Sequence, residues 1–148
     1  MYKRILLAHE GSLEYRRALH HGVDLAQRFD AEVLLLAIIR SSAGLPMAGG
    51  VNPSGVVEAE QEECKKALEE GLERLKARGI EAKTALGYGD PVEEINRHAR
   101  EFGADLVVVG HKRRGNFERW WQRSIGRSLL NDLPCSLLIS TPESDEED

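Results

Sequence analysis

Apolar residues along this chain fall into two kinds of segment that take turns. Lys3 to Ala8 (KRILLA), Glu32 to Ile39 (EVLLLAII), Asp105 to Val109 (DLVVV) and Cys135 to Ser140 (CSLLIS) are short and continuously apolar. Continuous rather than alternating hydrophobicity predicts strands covered on both faces. Ile80 to Leu86 (IEAKTAL) alternates more, which predicts a strand nearer a sheet edge. Between these runs the apolar spacing changes to three and four residues, the period of a helix. Ser12 suits an N-cap for a helix that carries Ala18, Leu19, Val23, Leu25 and Ala26 to about Phe29. Val57, Cys64, Leu68, Leu72 and Leu75 make one stripe of a long helix, with Gly79 as its stop. Asp90-Pro91 reads as a cap followed by proline at the first helical position, opening a helix over Val92 to Phe102. A last helix is expected from Asn116 or Phe117 to Asp132, ended before Pro134.

Five strands alternating with four helices predict an α/β fold: one open, mostly parallel five-stranded sheet with right-handed crossovers and helices on both faces. Ser41 to Gly55 is the one long irregular stretch, and no internal repeat is present. With 148 residues the chain fits a single domain, over 1–141, followed by an acidic tail over 142–148. The formal net charge is −5, much of it in the tail acids Glu143, Asp145, Glu146, Glu147 and Asp148. That balance argues against a nucleic-acid coat. Cys64 and Cys135 show no metal-binding or CxxC spacing, which suits a reducing compartment. No apolar run approaches the length of a membrane span and no signal-peptide pattern opens the chain, so a cytoplasmic protein is expected.

In open parallel sheets, ligands bind at the carboxyl ends of strands, beside the point where strand order reverses. The loop after the fourth strand is the richest in chemistry: Gly110-His111-Lys112-Arg113-Arg114-Gly115-Asn116, leading into a helix with Arg119, Arg123, Ser124 and Arg127. A glycine-containing loop that feeds a helix N-terminus directs backbone N–H groups and the positive dipole end at one spot, a setting for phosphate. The competing reading is a solvated basic loop. Arg119, Arg123 and Arg127 share a helix face, as a contact for an anionic partner or as a solvated stripe, and Trp120 beside them suits a partner surface. His9, Glu10 and His111 converge on the strand-end cleft in this topology. The sequence holds no G-x-S-x-G, Walker lysine loop, Rossmann G-x-G-x-x-G after the first strand, or HExxH. A binding protein rather than an enzyme is therefore expected, with no metal site.

Four stretches in order resemble the universal stress protein family. They are Tyr2-Lys3-Arg4-Ile5-Leu6-Leu7-Ala8 with Gly11-Ser12, then Gly89-Asp90-Pro91-x-Glu93-Glu94-Ile95, then Ala104 to Gly110, and Leu133-Pro134-Cys135-x-Leu137-Leu138-Ile139. The resemblance implies sheet order 3-2-1-4-5, an adenine-nucleotide alpha-hydrolase-like fold, and a homodimer through the Cys135 to Ser140 strand. It implies roles in stress response and signalling, and ATP or AMP, with magnesium in the case of ATP, as the ligand in question. Family members that bind nucleotide carry G-x2-G-x9-G-(S/T). Here Gly110 and Ser124 keep their places, but Arg113 and Arg123 stand where two glycines belong. Glycine lets backbone amides approach phosphates without an intervening side chain, and arginine fills that room. The strand 1 acid is Glu10, a methylene longer than the family's usual Asp. If a nucleotide enters, the resemblance places Glu10 and Ile38 at the base and ribose end, with His9, next to Glu10, also counted among the binding candidates. Gly110, Lys112, Arg113, Gly115, Asn116, Arg123, Ser124 and Ile125 would then lie along the phosphates or pocket wall. The expectation is weak or absent ATP binding. The alternatives are that Arg113 and Arg123 are themselves phosphate ligands, or that the chain is a protein-interaction module without a small ligand.

Overall fold

The computed structural model describes residues 1–9, 15–39, 54–110 and 132–140. The elements are β1 (Arg4–His9), α1 (Tyr15–Phe29), β2 (Glu32–Ile39), α2 (Ser54–Ala77), β3 (Ala82–Tyr88), α3 (Pro91–Phe102), β4 (Leu106–Gly110) and β5 (Ser136–Ser140). All strand pairings are parallel, in the order β3-β2-β1-β4-β5. The long helix begins at Ser54, two residues inside the stretch expected to be irregular. The helix expected over 116–132 lies outside the described residues except for helical Asp132.

Alternate residues of each central strand feed two separate cores, which is why these strands read as unbroken apolar runs. Ile5, Leu7, Val33, Leu35 and Val108 face Ala26 of α1 and Cys64, Leu68 and Leu75 of α2. Leu6, Ala8, Leu36, Ile38, Val107 and Val109 face Val92, Ile95 and Ala99 of α3. Burying a side chain the size of Ile95 contributes roughly 1.5–3 kcal/mol.

Each helix is ended by its own chemistry, and that sets where the next strand starts. After α2, Gly79 takes φ 77° and its N–H donates to Lys76 O, while Ile80 N–H donates to Leu75 O. This left-handed stop draws Ile80 into the core at the helix end. The third strand therefore begins at Ala82 rather than at Ile80, as the alternation predicts, and extends two residues further, to Tyr88. After α3, Gly103 and Ala104 repeat the arrangement, donating to Arg100 O and Ala99 O. At the start of α3, the Asp90 carboxylate accepts from Val92 N–H at 3.1 Å, with Pro91 next to it, as the sequence predicts. The amino-terminal rim of the sheet is tied by Asp105, whose carboxylate accepts from the backbone N–H groups of Lys3 and Arg4 at 2.9 and 3.0 Å.

Candidate functional site

Strand order reverses between β1 and β4: the chain goes from β1 to β2 on one side, then returns from β3 to β4 on the other. Parallel register brings the carboxyl ends of the middle strands together. His9 is the last residue of β1, opposite Ala37 of β2, and Ile38 follows on β2. Val109 lies opposite Ala8, so Gly110, the last residue of β4, emerges beside His9. At the ordinary strand spacing, Ile38 and Gly110 are two strands apart, about 10 Å across the reversal point. That separation suits a nucleoside-sized ligand laid over the sheet edge. His9, Ile38 and Gly110 are thus gathered at one edge. Ile38 is only 4% exposed and packs in the α3-side core, so its side chain supplies floor rather than open wall. The remaining candidates, Glu10, Lys112, Arg113, Gly115, Asn116, Arg123, Ser124 and Ile125, lie outside the described residues, as do His111, Trp120 and the stretch 41–53.

The far wall of this edge comes from β3. Gly87 lies opposite Ile38 in register, and Gly89, at φ 101°, donates its N–H to Ile39 O at 3.0 Å. Glu94, one turn into α3, packs directly on Gly87, where a Cβ would come within 2.8 Å of its Oε1. Arg97 holds that carboxylate, donating from Nη2 to Oε1 at 2.7 Å and from Nε to Oε2 at 3.4 Å. His98 Nε2 lies 3.6 Å from the same Oε1. The hydrogen bond to Glu94 is the main reason the Arg97 pKa is raised above its ordinary value, with the charge of Glu94 next. Sequence reading did not single out this cluster. Its signal was Gly87 itself, since glycine inside a strand marks close approach by another group.

Among the described residues, no group of three or more His, Cys, Asp or Glu is arranged to hold a metal ion. Neither cysteine is in a disulfide; Cys64 is buried and Cys135 half-buried. Burial raises the Cys135 pKa, and the nearby Asp105 carboxylate raises it further. A thiol held in its neutral form is a poor nucleophile. No helix among the described residues is long and apolar enough to cross a membrane.

An open parallel sheet in the order 3-2-1-4-5, with its cleft at the carboxyl edge beside the reversal, defines the class of doubly wound α/β domains. The family model for the universal stress protein family matches residues 1–140, and the chain belongs to that family. Universal stress protein YxiE of Bacillus subtilis is 29% identical over 149 residues, covering 94% of this chain and 99% of the relative. A crystal structure of a universal stress protein family member from Burkholderia pseudomallei superposes with TM-score 0.73 at 28% identity, covering 93% of this chain and 95% of that one. A family protein from Arabidopsis thaliana, solved with AMP bound, has TM-score 0.69 at 15% identity, covering 99% and 95%.

Proposed function

We propose that this chain is a regulatory, stress-response homodimer that acts through binding rather than catalysis, and that its adenine-nucleotide pocket is degenerate. The carrying observation is the pair Arg113 and Arg123, which occupy two glycine places of G-x2-G-x9-G-S in a chain whose residues 1–140 match the family model. The cradle starts from Gly110 at the strand-order reversal, where backbone amides would have to meet phosphate. Two long side chains at 113 and 123 take up the space such an approach needs, so ATP binds weakly or not at all. Two cysteines outside any disulfide are in keeping with a reducing, cytoplasmic setting. The second reading takes the same arginines as ligands, their guanidinium groups donating charge-assisted hydrogen bonds to phosphate in place of the backbone. It draws support from the AMP bound to the Arabidopsis relative.

Thermal melts with millimolar ATP and AMP, with and without magnesium, test the proposal. A ligand held at 100 times its dissociation constant adds about 2.7 kcal/mol, a readily seen rise in Tm. The expected result is little or no shift for the wild type and a gain of ATP stabilisation in the Arg113→Gly, Arg123→Gly double variant. A wild-type shift that disappears in the double variant would establish the arginines as phosphate ligands instead.

A further inference from the structure

One carboxylate oxygen on α3, Glu94 Oε1, has two nitrogen neighbours, of which it bonds one and stands off the other. Arg97 Nη2 donates to it at 2.7 Å, while His98 Nε2 is 3.6 Å away, beyond hydrogen-bond length. The two nitrogens lie 3.2 Å from each other. A guanidinium nitrogen has hydrogens to give and no acceptor capacity, so Nε2 is the acceptor in that contact and carries no proton. The His98 ring is therefore the neutral tautomer with its proton on Nδ1. The side chains of His98 and Glu94 are only 13% and 14% exposed, so salt and water screen this cluster poorly.

A proton on His98 makes this arrangement untenable. Nε2 would present a hydrogen to Arg97 Nη2 at 3.2 Å, donor against donor and cation against cation. Each cation has another place to go. The imidazolium can donate to Glu94 Oε1 once the 3.6 Å gap closes to about 2.8 Å, the length of a charge-assisted bond. Arg97, half exposed, has its Nη1 3.5 Å from Glu101 Oε2 one turn further on. Among the described residues, the strands under α3 add few charges. Lys83 of β3, two residues before Ala85 of the α3-side core, lies on that side by strand alternation. β1 and β2 bring only Arg4 and Glu32, which pair with each other at 3.3 Å at the amino-terminal rim. Glu93, Arg100 and Asp132 share with Arg97 a groove that His98 does not line. The oxygen that would move is the one resting on the sheet. Glu94 Oε1 lies over Gly87, 2.8 Å from where a Cβ would stand, and Gly87 is opposite Ile38 at the carboxyl edge.

We propose that His98, Glu94 and Arg97 form a proton-operated switch. Neutral His98 accepts from Arg97; protonated His98 takes Glu94 Oε1, sends Arg97 to Glu101 and thereby shifts Gly87 beside the strand-end cleft. The switch needs no nucleotide, so it stands or falls apart from the reading of the phosphate cradle. Histidine changes charge between about pH 5 and 8, and NMR of the 15N-labelled full chain over that range is the test. At about pH 8 the His98 ring should show the Nδ1–H tautomer. On acidification the Gly87 amide and the Arg97 Nε–H should shift with the midpoint of the His98 ring. His98→Gln keeps a polar side chain that cannot gain a proton, and there the Gly87 shift should be lost. In Glu94→Gln the His98 ring should still titrate while the Gly87 amide stays flat. An Nε2–H tautomer at about pH 8 would overturn the proposal, as would a His98 ring that takes up no proton over this range. So would a Gly87 amide that ignores the His98 titration in the wild type, or one that still titrates in either variant.

Discussion

A Cβ at Gly87 would lie 2.8 Å from Glu94 Oε1, 3.2 Å from its Cβ and 3.3 Å from its Cγ. The carboxylate tip could swing aside, but only by leaving Arg97, and the stem atoms are tight as well. Gly87→Ala is therefore expected to destabilise by about 1–3 kcal/mol, as overpacking does. Denaturant unfolding measures the cost, and most of it should vanish in a Glu94→Ala background, since the two changes act on one contact. An undiminished cost there would place the strain elsewhere. Cys135 gives a prediction in pH. Its pKa is higher folded than unfolded, because burial and Asp105 both disfavour the thiolate. Between the two values the folded chain binds more protons, so stability falls as pH rises. The decline should begin near the ordinary thiol range, about 8.5. Subtracting the Cys135→Ala profile from the wild type isolates it, and a flat difference would refute it. Glycine inside β3 was legible as a mark of close approach, but that Glu94 makes the approach was not, because periodicity along one segment does not specify which strand a helix face meets.

At the level of elements, the sequence was legible where a local signal and the tertiary packing agree. Asp90-Pro91 marks the start of α3 in both, because the cap and the proline act within one turn. Continuous apolar runs mark β1, β2 and β4, because both faces of those strands are buried. The start of β3 was misplaced by two residues for a definite reason. Ile80 has the apolarity of a strand residue but is consumed in closing α2, with its N–H on Leu75 O. The end of α1 had no glycine to announce it: Asp30 takes φ 55° there, and Ala31 N–H donates to Ala26 O. The Asp90 cap yields the test at this scale. Asp90→Ala should cost about 1 kcal/mol in chemical denaturation and Asp90→Asn much less, because Asn can still accept from Val92 N–H. Equal losses in the two variants would show that charge at the helix start, not the hydrogen bond, is what matters.

For the whole molecule, right-handed crossovers with one switch of side allow the order 2-1-3-4-5 as well as the observed β3-β2-β1-β4-β5, so the strand order, and with it the position of the cleft, was legible only through the family resemblance. The two outer strands then differ in a way that bears on assembly. On β3 the residues Lys83 and Thr84 are exposed, and a lysine on an edge discourages pairing with another strand. β5 carries no charge over Ser136–Ser140; Leu137 and Leu138 remain half-buried and Ile139 is 43% exposed, while its neighbour β4 is buried from Leu106 to Val109. An apolar outer strand with partly covered side chains is the surface a second copy would cover, in line with the homodimer proposed above. Light scattering at micromolar concentration should then give twice the 16.5 kDa chain mass. Ile139→Lys should shift the population to monomer while leaving the melt cooperative, because the residue is already exposed in the single chain. A wild-type mass of one chain, or an Ile139→Lys variant that stays dimeric, would place any self-association on another face.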